Sequence, residues 1–521
     1  MNILFFAFEG EARLMAELAR LFKKNGHGVF VVSCDHFNVT HTRGEVFDYY
    51  RSTGLQENEF ANMADVFRKL NSLPPELSRD LIDWNYLEDF EIKYCRRFTL
   101  LELAAMDPLM SDVSHNRNIY YRPENKNIFF KYLELQCRWL EGIFSRRVFD
   151  VAFTINFQYF IKAAAFTMAE AKGIPFLMVG TCRISDLHLL FDNFSLGTPR
   201  AVADEMERLS ESNNPCRDAA EYIDWLKKER QSAYTGFLDT MRIIKDRMSL
   251  TPRLMELWCM ITRYPRHAIF INKHYRGMFR RNYFLPNYFA TLFTMIAALS
   301  RRIGYFRYRQ LTRTDLPKGP FVYFPLHLIP ENSVLTLSKT FNELECLFQL
   351  SKSLPINWKV VVKINPYMLI DLDSHPNRYY LEMSRLPNVQ FISPLVPSFD
   401  IIEKASAVAC ISGTALLEAA ILDKPCFRWG RTEFEAIDTV FEFCSDKVRE
   451  RIGMSRSSNL KYYIQACFNL GLHLDFRLLC HPVSPVSPRL SAEQAEEYQR
   501  QLTLLEEEIL HYCEASIKLP V

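Results

Sequence analysis

The segment that decides the fold runs Val408-Ala-Cys-Ile-Ser-Gly-Thr-Ala-Leu-Leu-Glu418, and it continues as Ala-Ala-Ile-Leu-Asp-Lys-Pro425. Its apolar beginning, residues 407–411, predicts a buried parallel strand, and the leucines further on predict a helix. A turn of small residues joins the two. Gly413 permits a ligand to approach the backbone closely, and the hydroxyls of the flanking Ser and Thr lie beside unpaired N–H groups of the first helical turn. The segment therefore predicts a phosphate site at a helix N-terminus.

Glu418 lies about one helical turn further on, on the same face as the turn. A carboxylate at that position accepts hydrogen bonds from ribose hydroxyls while a phosphate rests on the turn. The same residues also fit an ordinary capped α/β turn with a solvated glutamate, because turns of this kind are common. The neighbouring sequence has to separate these two interpretations.

Strands and helices alternate at short spacing around this segment. A strand and loop are predicted at 321–327, a helix at 339–354 and strands at 358–363 and 386–392. A helix at 398–404 then leads to the strand at 407–411. This alternation predicts a doubly wound parallel sheet, whose ligands bind at the carboxyl ends of the strands. The polar side chains at such ends are those of Lys363, Asn365, Ser412 and Thr414.

Further motifs occupy the strand ends and loops of the same region. They are Pro325-Leu-His327, Pro330-Glu331, Val362-Lys-Ile-Asn-Pro-Tyr-Met368, Leu386-Pro-Asn-Val389 and Ser412-Gly-Thr-Ala-Leu-Leu-Glu-Ala419 with Lys424-Pro425. Together they resemble the C-terminal half of bacterial capsule polysaccharide biosynthesis glycosyltransferases. The resemblance is specific between residues 321 and 430 and looser in the N-terminal half.

The resemblance implies an α/β fold of the GT-B type, in which two Rossmann-like domains with parallel sheets face a cleft. It also implies a nucleotide-sugar donor on the C-terminal domain, no obligatory metal ion and no cofactor besides that substrate. His327 is expected to bind substrate. The expected donor-binding residues are Lys363, Asn365, Ser412, Gly413, Thr414 and Glu418.

One motif departs from the family pattern. The family usually has an acidic residue and a histidine or asparagine where this chain has Ile364 and Asn365. Asp371-Leu-Asp373 resembles a metal-binding DxD motif, but it follows Asn365-Pro366 in a loop and is predicted to be a solvated turn. We therefore expect no metal site there.

The N-terminal half repeats the alternation with weaker motifs. Residues 3–8 and 29–32 are predicted strands joined by an amphipathic helix, and this opening resembles the acceptor-side domain of GT-B enzymes. Glu9 and Glu11 lie on the first crossover loop and are candidates for a general base. The same carboxylates also suit the N-terminal end of a helix dipole.

A second loop of this half, after a predicted strand at 175–179, carries Arg183 and Asp186. It resembles a family loop with an Arg-Ile pair followed by acidic residues. Arg183 would hold an anionic group of the substrate, and Asp186 would take a proton from an acceptor hydroxyl. A surface salt bridge between the two is the alternative. Among the base candidates we rank Asp186 before Glu9, and Glu9 before Glu11.

Composition limits the class of protein. The 521 residues allow more than one domain, and a net charge of +2 gives no overall preference for polyanions. The 13 cysteines are scattered without a CxxC pair, which favours buried thiols in a reducing compartment. The apolar start is too short for a signal peptide. We therefore expect a cytoplasmic chain.

The region between the two halves is basic and aromatic. Residues 263–318 carry many Arg, Tyr and Phe and almost no acidic residues. Such a segment suits an anionic membrane surface or a polyanionic glycan, and the membrane surface would make the protein peripheral on the inner face of the plasma membrane. The uncharged run 282–300 is also long enough to span a bilayer, and a packed interdomain helix is the third interpretation. Nucleic-acid recognition modules are absent from the sequence.

These patterns predict four regions. They are an N-terminal Rossmann-like domain with helical insertions (1–250), a basic aromatic linker (251–318), a nucleotide-sugar domain (319–455) and C-terminal helices (456–521). In GT-B proteins a terminal helix often crosses back to the first domain.

The leading function is transfer of a sugar from a nucleotide-sugar to a surface, capsule-type polysaccharide or its lipid-linked primer. A nucleotide-sugar epimerase or a polyol-phosphate transferase of the same architecture is one alternative. A non-catalytic protein that binds glycan or membrane during assembly is another.

Overall fold

The computed structural model describes most of the chain, and every structural statement below concerns the described part. Apart from a few isolated positions, the described residues are 1–7, 11–33, 49–63, 77–106, 126–155, 159–192, 197–230, 310–327, 338–340, 342–365, 377–454, 457–480 and 490–518. Glu9, Pro330-Glu331, the DxD segment and most of the basic linker are sequence predictions that lie outside these residues.

The strands form two sheets. The first sheet contains β1 (Asn2–Ala7), β2 (Gly28–Ser33), β3 (Phe60–Asn62), β4 (Val151–Thr154), β5 (Phe176–Thr181), β6 (Leu187–Phe191) and β13 (Leu472–His473), in the order β13-β6-β5-β4-β1-β2-β3. The second contains β7 (Phe321–Pro325), β8 (Lys359–Lys363), β9 (Val389–Phe391), β10 (Ala407–Cys410), β11 (Cys426–Arg428) and β12 (Val440–Glu442), in the order β12-β11-β10-β7-β8-β9.

Helices flank both sheets. Those of the first half are α1 (Ala12–Lys24), α2 (Trp84–Tyr94), α3 (Leu100–Ala105), α4 (Lys126–Arg146), α5 (Phe160–Ala171), α6 (Arg200–Glu211) and α7 (Arg217–Glu229). Those of the second half are α8 (Glu343–Ser353), α9 (Asn377–Ser384), α10 (Ser398–Lys404), α11 (Thr414–Ile421), α12 (Val448–Arg451), α13 (Leu460–Leu470), α14 (Phe476–Leu479) and α15 (Ala492–Lys518).

Parallel pairing dominates both sheets, as the β-α alternation predicts. All strand pairs of the second sheet are parallel, and so are the pairs among β1 to β5 of the first. Strands of this kind are buried on both faces and read as continuous apolar runs. The predicted class, two Rossmann-like α/β domains built on parallel sheets, is confirmed.

Successive side chains of each strand pack into hydrophobic cores on opposite faces of the sheet. In the second sheet Val322 and Phe324 pack on the α8 side, whereas Tyr323 and Val408 pack on the side of α10 and α11. The period of two residues in a strand produces this division. The face that carries α10 and α11 belongs to one apolar cluster that continues into the first domain. The two domains therefore share buried apolar surface.

The edge of the first sheet differs from the sequence prediction. The sequence indicates an irregular loop after β5, but the chain turns back as β6, which pairs antiparallel with β5. The short strand β13, contributed after the second domain, then adds to β6. Long-range pairing of a two-residue strand leaves no periodic signal in the sequence.

The C-terminal segment returns to the first domain. Leu502, Leu505 and Ile509 of α15 share a core with Leu14 and Leu18 of α1. Helix α13 packs on α6 and α7, and Gln465 accepts a hydrogen bond from the Ala219 N–H at 3.3 Å. These contacts hold the C-terminal segment against the first domain.

One helix begins later than the sequence predicts. The predicted helix 339–354 starts at Glu343, because the Asn342 side chain accepts hydrogen bonds from the N–H groups of Leu344 and Glu345. An asparagine at the N-cap satisfies donors that have no partner within the helix. The cap therefore fixes the start of α8 and places Glu343 in its first turn.

Within the described residues, no helix has the length and apolar character needed to cross a membrane.

Candidate functional site

Three neighbouring strand ends form the candidate site on the second sheet. Strand β7 lies between β10 and β8, so the residues that follow these strands are neighbours at one edge. They are Ser412 after β10, His327 after β7 and Lys363 at the end of β8. The Leu326 N–H extends the ladder by donating to the Lys363 carbonyl at 2.8 Å. The structure thus brings together residues that are far apart in the sequence.

The turn after β10 presents an open helix N-terminus. Ser412 is buried, whereas Gly413, Thr414 and Ala415 are partly exposed. Gly413 is the N-cap of α11, so the helix has no side-chain cap in the described structure. The first-turn N–H groups of a helix have no intrahelical acceptor and carry the positive end of the dipole. This end of α11 can therefore receive an anion.

The glycine of the turn is not required by its backbone conformation. Its φ of 165° is extended and is open to any residue. A Cβ at Gly413 would stand 3.5 Å from His327 Nε2 and 3.6 Å from Cys410 Sγ, which are ordinary contact distances. The described protein atoms therefore leave room for a side chain at this position. Without one, the space in front of the helix N-terminus stays open.

The His327 side chain bridges Glu343 and the turn after β10. Its Nδ1 lies 3.0 Å from Glu343 Oε1, and its Nε2 contacts the Ser412 carbonyl. Its backbone N–H donates to the same Glu343 oxygen at 2.5 Å. Burial lowers the pKa of His327, but hydrogen bonds with Cys410 and Glu343 outweigh burial and hold that pKa well above its usual range. His327 thus links the start of α8 to the turn after β10.

Lys363 is the last residue of β8 and is only 3% exposed. Its Nζ donates to the Val396 carbonyl at 2.6 Å and to Ser398 Oγ at 2.9 Å. Ser398 begins α10, and its hydroxyl also lies 3.3 Å from the Tyr323 hydroxyl. Burial lowers the pKa of Lys363 to about 8, while the charges of Glu418 and Asp400 oppose this shift. A bound anion would raise that pKa again.

The Lys363 pKa predicts a dependence of stability on pH. The folded pKa of about 8 lies below the ordinary value of 10.5, so the unfolded chain binds more protons between these values. We expect Lys363 to make the free energy of unfolding rise between pH 8 and 10.5, by on the order of 1–3 kcal/mol.

Denaturant unfolding of the wild type and of Lys363→Met at pH 8, 9 and 10 measures this effect. Other groups titrate in the same range, so the difference between the two slopes is the quantity of interest. We expect the variant to have the smaller rise. Identical slopes would contradict the assignment.

Glu418 lies on the buried side of α11, and its charge interacts with that of Lys363. Glu418 is 5% exposed, and its charge raises the pKa values of Lys363, Tyr323 and Tyr222. The carboxylate and the ammonium therefore compensate each other in an interior where an isolated charge is costly. Contact of Glu418 with a ribose stays a prediction. Asn365, immediately after Lys363 and Ile364, is partly exposed at the same edge.

A loop of the first domain reaches this edge. The Arg183 Nη1 donates to Thr414 Oγ1 at 3.4 Å, and its Nε lies 2.5 Å from Glu433 Oε1. Arg183 and Ser185 have φ values of 61° and 52°, in the left-handed region that non-glycine residues seldom adopt. Strained backbone of this kind persists where surrounding contacts impose it, and it is frequent at functional sites.

Asp186 ends the same loop and faces solvent. Its side chain is 60% exposed, and its Oδ1 lies 3.3 Å from Nδ1 of His473 in β13. The register of β13 with β6 places His473 opposite Leu187, next to Asp186. The sequence alternative paired Arg183 with Asp186. In the structure Arg183 pairs with Glu433, and Asp186 pairs with His473.

Glu11 has a different environment. Its carboxylate lies 2.9 Å from Lys162 Nζ, and both side chains are buried. Glu11 precedes α1 without a side-chain cap of that helix. The ion pair with a fully buried lysine gives Glu11 a structural role, because removal of either partner leaves a buried charge. Its sequence-based candidacy as a base stays a prediction, and Glu9 lies outside the described residues.

Several residues of the site are not among those predicted from the sequence. They are Tyr323, Glu343, Ser398, Glu433 and His473. Asn342 before Glu343 is a helix-start signal that would have placed this carboxylate in a first turn. Glu433 and His473 belong to a loop and a two-residue strand whose neighbours only the fold determines. No group of His, Cys, Asp or Glu side chains suited to hold a metal ion occurs among the described residues.

Comparisons with known proteins give no family. No protein-family model matches the chain, and no curated protein matches it. Among solved structures, the KpsC beta Kdo 2,7 transferase of Thermosulfurimonas dismutans is 11% identical over 70% of this chain and 89% of its own, with a TM-score of 0.35. A UDP-GlcNAc 2-epimerase of Methanocaldococcus jannaschii in complex with UDP-GlcNAc and UDP is 11% identical over 97% of this chain and 100% of its own, with a TM-score of 0.23.

A glycosyltransferase of Rickettsia africae is 9% identical over 96% of this chain and 98% of its own, with a TM-score of 0.24. At these identities and TM-scores the likeness says nothing about the residues of the site.

Proposed function

We propose that the chain is a glycosyltransferase that moves a sugar from a nucleotide-sugar donor to a glycan or its lipid-linked primer. The observation that carries this proposal is the N-terminus of α11, which has no side-chain cap and which Arg183 of the other domain contacts at Thr414. In a parallel α/β sheet such an edge is where nucleotides bind. The capsule-type acceptor, the cytoplasmic location and contact with an anionic membrane surface belong to the same proposal.

The donor phosphate rests on the first turn of α11. The N–H groups of Thr414 and Ala415 point along the helix axis away from the helix, and the Thr414 hydroxyl stands beside Arg183. Arg183 adds a charge that no pH in the working range removes. His327 and the buried Lys363 lie at the ends of the neighbouring strands.

Transfer requires positive charge where the nucleotide departs. Breaking the bond between sugar and phosphate leaves negative charge on the phosphate oxygens, and preorganised donors stabilise this charge in the transition state. Arg183 and the α11 N-terminus supply that stabilisation, and we propose that they do so without an obligatory metal ion. A base across the edge, Asp186 by our ranking, takes the proton of the acceptor hydroxyl.

A panel of nucleotides tests donor binding. CMP, UDP, GDP and TDP are added separately, and thermal unfolding is followed. A ligand at about 100 times its Kd stabilises the native state by about 2.7 kcal/mol. Each kcal/mol raises the Tm by about 2–4 °C for domains of roughly 150–250 residues. We expect one nucleotide to raise the Tm by several degrees, and no shift with any of them would contradict the proposal.

Product analysis then separates the alternatives. A transferase releases nucleotide from its donor only when an acceptor is present, whereas an epimerase changes the sugar without an acceptor. A polyol-phosphate transferase leaves a phosphodiester in its product. Nucleotide binding with no change of the donor sugar under any condition would favour the non-catalytic alternative.

A further inference from the structure

A buried carboxylate of the second domain faces the loop of the first domain. Glu433 is 4% exposed and lies in the irregular segment between β11 and β12. Its Oε1 stands 2.5 Å from Arg183 Nε, and the Arg183 side chain is itself mostly buried. Burial of a carboxylate is costly unless a cation accompanies it. Arg183 is that cation, and the ion pair joins the two domains.

The Arg183 guanidinium makes its two contacts with different edges of one rigid plane. Its Nε faces Glu433, and its Nη1 faces the hydroxyl of Thr414 at the start of α11. The guanidinium fork is planar, so fixing Nε also fixes the direction in which the Nη groups point. Glu433 therefore determines where the outer edge of Arg183 stands relative to the helix N-terminus.

The segment that carries Glu433 is itself anchored. The Ala436 N–H donates to Thr198 Oγ1 of the first domain at 3.1 Å. Glu435 pairs with Arg428 at 3.2 Å and also contacts Arg431. On the other side, the Arg183 N–H donates to Thr181 Oγ1 at 2.9 Å. Hydrogen bonds and ion pairs thus hold the backbone around both Arg183 and Glu433 in place.

We infer that Glu433 is a positioning residue for nucleotide-sugar binding. It holds the Arg183 guanidinium over the N-terminus of α11, where Arg183 binds the phosphate that links the nucleotide to the sugar. A free arginine side chain has many rotamers, and ordering one on binding weakens affinity. Glu433 removes that cost beforehand. The inference rests on the proposed function, since it assigns a role within the same donor site.

The test is a double-mutant cycle on nucleotide binding by calorimetry. It uses Arg183→Gln, Glu433→Gln and the double variant, with the nucleotide that gave the largest thermal shift. Loss of the charged contact between Arg183 and the phosphate, directly or through loss of its positioning by Glu433, predicts that each single change weakens binding about 10- to 100-fold. If Glu433 acts through Arg183, the double variant binds no more weakly than the weaker single variant.

Two further measurements distinguish positioning from a loss of fold. The donor KM of Glu433→Gln should rise while the KM for the acceptor is unchanged. Glu442→Gln, the same change at an exposed carboxylate of β12 in the same domain, should leave nucleotide affinity within about twofold of the wild type. If Glu433→Gln does not fold, Arg183→Lys takes its place. Lysine can still pair with Glu433, but it lacks the fork that reaches Thr414, so binding should still weaken.

Each outcome decides the inference. Wild-type affinity in a folded Glu433→Gln or in Arg183→Lys overturns it, and so do effects that multiply in the double variant. If the wild type binds none of the nucleotides, the proposed function and the inference both fail. If the wild type binds nucleotide and Glu418→Ala weakens this binding while Glu433→Gln does not, the inference fails alone.

Discussion

Replacing Asp186 by asparagine should lower turnover by about 100- to 10,000-fold, the range that general-base catalysis contributes. The change keeps the size of the side chain and removes the carboxylate that accepts the proton. Asp186 is exposed at the end of the loop that carries Arg183 to Thr414, so an acceptor hydroxyl can reach it from solvent. Donor affinity should stay nearly unchanged, because Asp186 acts on the acceptor.

The neighbouring histidine refines this experiment. His473 Nδ1 lies 3.3 Å from Asp186 Oδ1, the arrangement in which a carboxylate orients an imidazole. His473→Gln measures this contribution directly. Equal losses of turnover in the two variants would show that the pair acts as a unit, whereas an unaffected His473→Gln would leave Asp186 as the base by itself.

Glu11→Gln and Glu9→Gln are the comparison variants. Because Glu11 compensates the buried Lys162, its substitution should lower the free energy of unfolding and leave turnover of the folded protein near normal. Near-normal turnover in Asp186→Asn would remove our first choice. Near-normal turnover in all of these variants would place the base on another part of the chain.

Glu418→Ala has the second large expected effect, because it acts on stability and on binding. The change removes the negative charge that most strongly favours the protonated form of the buried Lys363. Leaving the buried ammonium less well compensated should lower the free energy of unfolding by on the order of 1–3 kcal/mol. Nucleotide affinity should fall by about 1–3 kcal/mol if a charge-assisted hydrogen bond to the ribose is lost.

Two comparisons separate these effects. Combining Glu418→Ala with Lys363→Met removes the uncompensated ammonium, so part of the lost stability should return. Glu442→Ala alters an exposed carboxylate of β12 and should change neither quantity. Denaturant unfolding and calorimetry with nucleotide measure both. Unchanged nucleotide affinity in a folded Glu418→Ala would remove Glu418 from the donor site.

The strand-turn-helix segment shows how far sequence reasoning reaches here. The sequence predicts a buried strand at 407–411 and a helix start at Ser412-Gly-Thr414, and the structure has β10 at Ala407–Cys410 and α11 from Thr414. Local apolar periodicity and turn chemistry determine such elements, because they depend on neighbours in the chain. The sheet that these elements build follows from the same alternation.

The sequence by itself determined the two α/β domains, the strand ends that carry Lys363, Ser412 and Thr414, and the loop that carries Arg183. Only the tertiary structure decided the partners of these residues. It set Glu433 against Arg183, Glu343 against His327 and His473 against Asp186. The physical reason is that a buried or crowded charge selects its counter-charge by distance in space, and no periodic pattern in the chain encodes that distance.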